Sequence, residues 1–260
     1  MQNINQLRFG GTRRLYSHDG ESTLAQAKVT IVGIGGVGSW VAEALARTAI
    51  GHIKLIDLDD ICVTNTNRQI HAYQENIGRL KVEAMAERIQ SINPECKVTA
   101  ITDFINADNQ VEYLADKPDY VVDAIDSVAA KVALIAYCKR NKIKLITIGG
   151  AGGQKDPLKI TTSDLNKTWQ DPLAAKVRSE LRRKHNFSKN PKRRFGIECV
   201  FSTEQLNYPT ADGQVCHQKQ FTDGSVKLDC SGGLGASVTV TATFGMIAAA
   251  RVINKLIQVN

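Results

Sequence analysis

The chain has 260 residues, 43% of them apolar and 23% charged, which supplies one sizeable core and excludes a largely disordered chain. A formal charge of +7 suits a polyanionic partner without identifying one. Its six cysteines (Cys62, Cys96, Cys138, Cys199, Cys216 and Cys230) include no C-x-x-C pair, so neither a zinc knuckle nor a thioredoxin-type motif is indicated, and reduced thiols in a cytoplasm are the simplest reading.

The N-terminal residues lack a basic segment followed by an apolar run, so no export signal is expected. Residues 29–32 are apolar and end at Gly33-Ile34-Gly35-Gly36-Val37-Gly38. Residues 37–48 then carry Trp40, Val41, Ala44 and Leu45 at three-to-four spacing. This pattern predicts strand, turn and helix. Glycines between a strand and a helix leave backbone N–H groups and the helix N-terminus open to phosphate. Dehydrogenases, methyltransferases and activating enzymes all share such a turn, and a tight strand-helix crossing needs one too.

The next predicted strand, 53–57, ends at Asp57, where a carboxylate can accept hydrogen bonds from ribose hydroxyls. Asp59, Asn65, Arg68 and Lys81 follow, the last at the start of a helix predicted over 79–91. Arg68 can fork onto phosphate oxygens and Lys81 can supply a point charge, together offsetting charge on an α-phosphate and on departing pyrophosphate. A nicotinamide site has no standing need for two such cations, so they favour ATP. The bland alternative is a pair of surface cations.

Asn93-Pro94 ends that helix, and strands are predicted over 97–101 and 120–123. Asp126 sits at the C-terminal end of the second, beside the expected crevice, and is the candidate to hold Mg2+ or position the α-phosphate. Asp123 competes for that role, with strand-end capping as its alternative. A helix over 127–141 with Ser127 as N-cap and a strand over 144–148 follow, running into Gly149-Gly150-Ala151-Gly152-Gly153. Strands alternating with helices imply an α/β, Rossmann-like, doubly wound and mostly parallel sheet.

After residue 153 the rhythm changes to an elaborated α+β part: β-like pieces at 159–162, 196–203 and 226–230 around a helix over 172–185. Arg178, Arg182, Arg183, Lys184, Lys189, Lys192, Arg193 and Arg194 form a basic run, with Asn186, Ser188, Asn190 and Pro191 breaking the helix. The run reads as a mobile basic loop, 178–194. Residues 231–250 are uncharged and about the length of a membrane span, but four glycines and several Ser and Thr favour a buried or dimer-interface helix.

Gly33-x-Gly35-Gly36-x-Gly38, Asp57-x-Asp59, Asn65-x-x-Arg68-Gln69, Lys81 and Asp126 resemble the adenylation domain of the ubiquitin-activating-enzyme superfamily, including the molybdopterin-synthase and thiamine-pathway activators. The resemblance implies a homodimer that activates a carboxylate as its acyl-adenylate with Mg-ATP. It also implies an arginine from the partner's N-terminal segment on the ATP, which Arg14 matches best and Arg13 second. Residues 1–153 then form the ATP-binding adenylation core with its N-terminal arm, and 154–260 the substrate and dimerisation part of the same domain.

The paired zinc ligands common in sulfur-carrier activators are absent. Residues 123–127, 149–154, 170–174, 199–204 and 241–245 instead resemble the tRNA threonylcarbamoyladenosine dehydratases. That resemblance implies a substrate adenosine, next to the anticodon, carrying threonine through a urea linkage. ATP would adenylate the threonyl carboxylate, and the urea group would then close a ring and expel AMP. Cys199 and Cys230 are read as structural thiols, because a tethered nucleophile needs no enzyme nucleophile. The basic run becomes a candidate tRNA contact. A cysteine desulfurase system is a candidate partner, a monovalent cation a candidate cofactor, and no stable membrane insertion is expected. The alternatives are an activator of a sulfur-carrier or ubiquitin-like protein, an NAD-dependent oxidoreductase, and a non-catalytic scaffold.

Overall fold

Each strand of the central sheet is four or five residues long, and those at its middle are apolar almost throughout, as expected where both faces are covered. The computed structural model describes residues 4–210, 212–217 and 234–258. Among these, β1 (Lys28–Val32), β2 (His52–Ile56), β3 (Lys97–Ile101), β4 (Tyr120–Asp123), β5 (Leu145–Ile148), β6 (Ile160–Asp164) and β7 (Glu198–Ser202) form one sheet. Its order is β3-β2-β1-β4-β5-β7-β6. All neighbours run parallel except β6, which lies antiparallel against β7 at the edge. A small hairpin, β8 (Tyr208–Pro209) and β9 (Val215–Cys216), stands apart.

The helices divide between the two faces. On one side α3 (Gly38–Arg47), α4 (Lys81–Ile92) and α8 (Val238–Ile257) bury Val41, Leu45, Val82, Met85, Phe244 and Val252 against the sheet. On the other, α6 (Val128–Arg140) and α7 (Pro172–Lys184) bury Val132, Ile135, Val177 and Leu181. α5 (Gln110–Tyr113) is a single turn. Chain order reverses between β1 and β4. Their register pairs Val32 with Asp123, and Val32 also pairs with Ile56. Gly33, Ala124 and Asp57 therefore leave the sheet side by side at its carboxyl edge, where ligands bind in open α/β sheets.

Several expected boundaries shift. The helix expected from residue 79 starts at Lys81, because Leu80 is held in a bridge to Asp60. The N-terminal arm is helical: α1 (Ile4–Arg8) and α2 (Gly10–Gln26), the latter kinked at Ser17, whose φ is 70° and whose Oγ accepts from Gly20 N at 3.2 Å. α2 buries only Gly20 and Leu24, so it carries no apolar stripe to read. The β-like piece expected over 226–230 and Cys230 lie outside the described residues.

The helix expected within 231–250 begins at Val238 and runs to Ile257. It is long and apolar enough to cross a membrane, with mean hydropathy 1.3, and half of that stretch is buried inside the protein. Gly245 permits its close crossing with α3, since a Cβ there would lie 2.7 Å from Trp40 Cβ and 2.8 Å from the Val37 carbonyl.

The basic run is anchored where a mobile loop was expected. Asn166 Nδ2 donates to Arg193 O at 2.5 Å and Lys167 Nζ to Pro191 O at 2.7 Å. Phe187 packs edge-on against Phe195, and the Asp164 carboxylate accepts from the Phe195 and Gly196 amides.

Candidate active site

The glycines of the 33–38 turn split into two kinds. Gly33 has φ +88°, and a Cβ there would lie 2.8 Å from the Ala124 carbonyl; a Cβ on Gly38 would lie 1.8 Å from the Gly33 carbonyl. These two are demanded by the crossing of β1, the turn and the 124–127 loop. At Gly35 the nearest atom to an added Cβ would be Gln69 Nε2 at 3.9 Å, and at Gly36 the Arg68 stem at 3.3 Å. The packing requires no glycine at 35. The N-terminus of α3 has no side-chain cap; Ser39 N donates to Gly35 O at 3.2 Å and Trp40 N to Val37 O at 3.1 Å, so it is the amides of residues 35–38, unbonded among the described residues, that can meet an anion.

Asp57, expected to face ribose, lies at the end of β2 against the turn. Its Oδ2 accepts from Ile34 N at 2.6 Å and its Oδ1 from Asp59 N at 2.9 Å. Burial pushes its pKa up, opposed by the Lys81 charge and those amides. Asp59 has a half-exposed carboxylate, 2.6 Å from Lys81 Nζ, which lies 4.0 Å from Asp57. Lys81 itself is buried at the start of α4.

Asn65 is buried and accepts from Cys62 N at 3.0 Å, closing the short turn from which Arg68 emerges. Arg68 is positioned by its backbone: its carbonyl accepts from Trp40 Nε1 at 2.9 Å. Its guanidinium donates to Thr64 O and Asn67 Oδ1, both at 2.9 Å. The turn, Asp57, Asp59, Lys81, Asn65 and Arg68 thus form one contiguous group.

The two aspartates after β4 separate cleanly. Asp123 is fully buried, with Lys131 Nζ 2.9 Å from Oδ2, Thr147 Oγ1 donating to Oδ2 at 2.6 Å and Ile125 N donating to Oδ1 at 3.2 Å. It is structural. Asp126 is exposed on the loop packed against Gly33, with no ion pair or hydrogen bond among the described residues. An exposed carboxylate on a loop that packs against the glycine turn has the chemistry Mg2+ takes, one or two carboxylates with water and phosphate oxygens as its other ligands.

Arg14 stands apart on α2, exposed and making no ion pair or hydrogen bond among the described residues, whereas Arg13 is paired with Glu21 at 2.5 Å. The basic run divides by burial. Arg178 donates to Thr168 Oγ1, and burial, with help from Arg182, draws its pKa down. Arg182 is bound to Asn166 and lies over the Phe195 ring at 5.6 Å. Arg183 and Lys184 both pair with Glu180. Lys189, Lys192, Arg193 and Arg194 are exposed. Cys199 is fully buried, and burial pushes its thiol pKa up, as a structural thiol requires.

Sequence reading missed Lys131 and His71. Lys131 lies on the buried face of α6 with Val132, Ile135 and Cys138, so a lone lysine among apolar positions was its only signal. His71 is fully buried, and desolvation, with the charges of Lys81 and Arg88, lowers its pKa to about 4.

A phosphate-binding turn, a buried lysine, an arginine and an open carboxylate at one sheet edge define a nucleotide-activating α/β protein, and the chain belongs to the ThiF family, whose model matches residues 11–260. Within that family it is 57% identical over 249 residues to tRNA threonylcarbamoyladenosine dehydratase of Escherichia coli, covering 96% of this chain and 93% of that protein. The crystal structure of the E. coli tRNA N6-threonylcarbamoyladenosine dehydratase in complex with ATP matches with a TM-score of 0.88 at 52% identity, covering 99% of this chain and 96% of that one. Similarity to the E. coli molybdopterin-synthase adenylyltransferase is 31% over 134 residues, 52% of this chain and 53% of that protein.

Proposed function

We propose that the chain is an ATP-dependent tRNA threonylcarbamoyladenosine dehydratase. The observation that carries this reading is the 57% identity extending over 96% of the chain to a protein of that name, well beyond the part shared with adenylyltransferases.

ATP lies with its phosphates against the amides of the 33–38 turn and the start of α3. Asp57, which braces the turn, receives the ribose hydroxyls on its remaining lone pairs, with Asp59 beside it holding Lys81. Arg68 and Lys81 offset charge as the threonyl carboxylate attacks the α-phosphorus and pyrophosphate leaves. The urea group of the same side chain then attacks the acyl carbon, a proton is lost, and AMP departs. The net change is loss of one water. Because nucleophile and electrophile share one side chain, proximity supplies much of the rate.

Mg2+, held by Asp126, would neutralise charge on the phosphate oxygens. In a homodimer, the exposed guanidinium of Arg14 would complete the partner's ATP site; Arg13 is paired with Glu21 whereas Arg14 makes no ion pair among the described residues, which supports Arg14 for that role. Lys189, Lys192, Arg193 and Arg194, with Arg183 and Lys184, would meet the tRNA backbone, in a cytoplasmic enzyme whose residues 154–260 serve substrate binding and dimerisation.

The test is to incubate the protein with ATP, Mg2+ and tRNA bearing threonylcarbamoyladenosine, then digest and weigh the nucleoside. Loss of one water mass with release of AMP and pyrophosphate is expected. An unchanged nucleoside overturns the reading, and pyrophosphate release dependent on a Gly-Gly-ended protein would replace it with the sulfur-carrier one.

A further inference from the structure

On the same carboxyl edge of the sheet, past β5, lies a cavity of about 330 Å³ that no step above uses. One wall is the start of α7, with Gln170 and Arg178; the other is the segment after β7, with Gln205, Leu206 and Tyr208. Asp171, in its lining, joins it to the end of β5. Its carboxylate accepts from Gly150 N at 3.0 Å, at the end of β5, and from Ala174 N at 2.8 Å in the first turn of α7.

The spacing matches the substrate. From β4, whose loop carries Asp126, the sheet runs to β5 and then to β7, two strand spacings or about 10 Å. A threonyl carboxylate is separated from the purine N6 by about one and a half residues of chain, roughly 5 Å, with the ring system beyond. A carboxylate activated beside Asp126 therefore carries its purine to the mouth of this cavity.

The walls have the chemistry of a base site. Tyr208 lines the cavity with an aromatic ring, the Gln170 amide provides donor and acceptor, and Gln205, whose Nε2 donates to His217 O at 3.5 Å, keeps its Oε1 as acceptor for a purine edge. Leu206 supplies an apolar surface. The half-buried Arg178 is held by Thr168. Gln170 has φ +58°, a left-handed backbone uncommon outside glycine and frequent where a site constrains the chain. Sites for a base removed from its stack combine stacking with edge hydrogen bonds in this way.

The geometry points to this cavity as the seat of the purine of the modified adenosine, with Tyr208 stacking on it and Gln170 and Gln205 reading its edge. This rests on the dehydratase reading above. It makes Tyr208 a determinant of substrate binding that acts on the base, independently of the phosphate backbone.

The test compares steady-state kinetics of the full protein and its Tyr208→Ala, Tyr208→Phe and Gln205→Ala variants, with modified tRNA and ATP varied separately. Tyr208→Ala should raise the KM for tRNA roughly tenfold, the effect of losing one base stack, while the KM for ATP stays put. Tyr208→Phe keeps the ring and should track the wild type. Gln205 is exposed, so its variant carries little folding risk; loss of one edge contact should raise the tRNA KM about threefold. The slope of log KM against log salt should stay at the wild-type value, because a stacked base releases no counterion.

The base site is overturned if both alanine variants keep the wild-type tRNA KM, if the KM for ATP rises in step, or if the salt slope flattens. A wild-type protein that removes no water from the nucleoside overturns the dehydratase reading itself. An active wild type matched by both alanine variants overturns the base site alone.

Discussion

Replacing Lys131 by Met leaves a carboxylate buried without its countercharge. Lys131 and Asp123 are 1% and 0% exposed. The ammonium is satisfied by Asp123 Oδ2 at 2.9 Å, Thr147 Oγ1 at 3.1 Å and the Asp123 carbonyl at 3.2 Å. Without it, Asp123 keeps the Thr147 hydroxyl and the Ile125 amide, which solvate a charge poorly. Breaking a buried pair by removing one partner costs about 3–5 kcal/mol. At roughly 2–4 °C per kcal/mol for a chain of this size, Tm should fall by about 10 °C.

Removing both charges, as Asp123→Asn with Lys131→Met, should cost at least about 2 kcal/mol less than the sum of the single changes. Equilibrium urea unfolding of the four proteins measures this directly. Asp123 also begins the loop that carries Asp126, so the KM for ATP should rise in Lys131→Met even where the protein remains folded. A loss below about 1 kcal/mol, or strictly additive changes, would refute the argument that this pair is desolvated and mutually dependent.

Gly38→Ala should abolish ATP binding in titration calorimetry, since its Cβ would lie 1.8 Å from the Gly33 carbonyl; Gly36→Ala meets the flexible Arg68 stem at 3.3 Å and Thr241 Cγ2 at an ordinary 3.5 Å and should still fold. His71, with pKa about 4 in the folded protein against 6.5 for a free imidazole, is neutral in the fold. The unfolded chain therefore binds its proton first as pH falls. Wild-type stability should decline from about pH 6.5 to pH 4 by about 3 kcal/mol from this residue, and unfolding curves of His71→Gln should lack that component. Changing Lys189, Lys192, Arg193 and Arg194 together to Ala should weaken tRNA binding and lower its salt slope by about 0.7–0.9 per lost contact. Arg182→Ala should instead lower thermal stability, because its guanidinium is bound to Asn166 and covers Phe195.

The parallel sheet was legible because apolar runs alternating with helical spacing report burial on both faces, and the glycine turn because glycine is required where Gly33 takes φ +88° and Gly38 crosses Gly33. Arg68, Lys81 and Asp126 stand out in the sequence as charged residues at intervals a phosphate site can use, and the fold sets the Arg68 stem near Gly36 and Asp126 on the loop packed against Gly33. Assignments between neighbouring acids were harder. Asp57 and Asp59 are two residues apart, and only coordinates show that backbone amides occupy both oxygens of the first. α2 was invisible because it buries only Gly20 and Leu24. The basic run looked uniform because composition reports charge and is blind to direction: Arg178 and Arg182 turn inward to Thr168 and Asn166, while Lys189 and Lys192 point to solvent.

The second glycine cluster gains its explanation from the added strands. A sheet ending at β5 would leave the end of that strand open; β7 and β6 extend the edge by about 10 Å and bring the start of α7 against it. Asp171 makes the join by capping α7 through Ala174 N while accepting from Gly150 N. A Cβ on Gly149 would lie 1.8 Å from Asp171 Oδ2, so the glycine and the aspartate require each other. Burial raises the Asp171 pKa, and the amides of Ala174 and Gly150 pull it back. Asp171 therefore ties the end of β5 to the start of α7 and so holds the wall of the cavity beyond β5 in place.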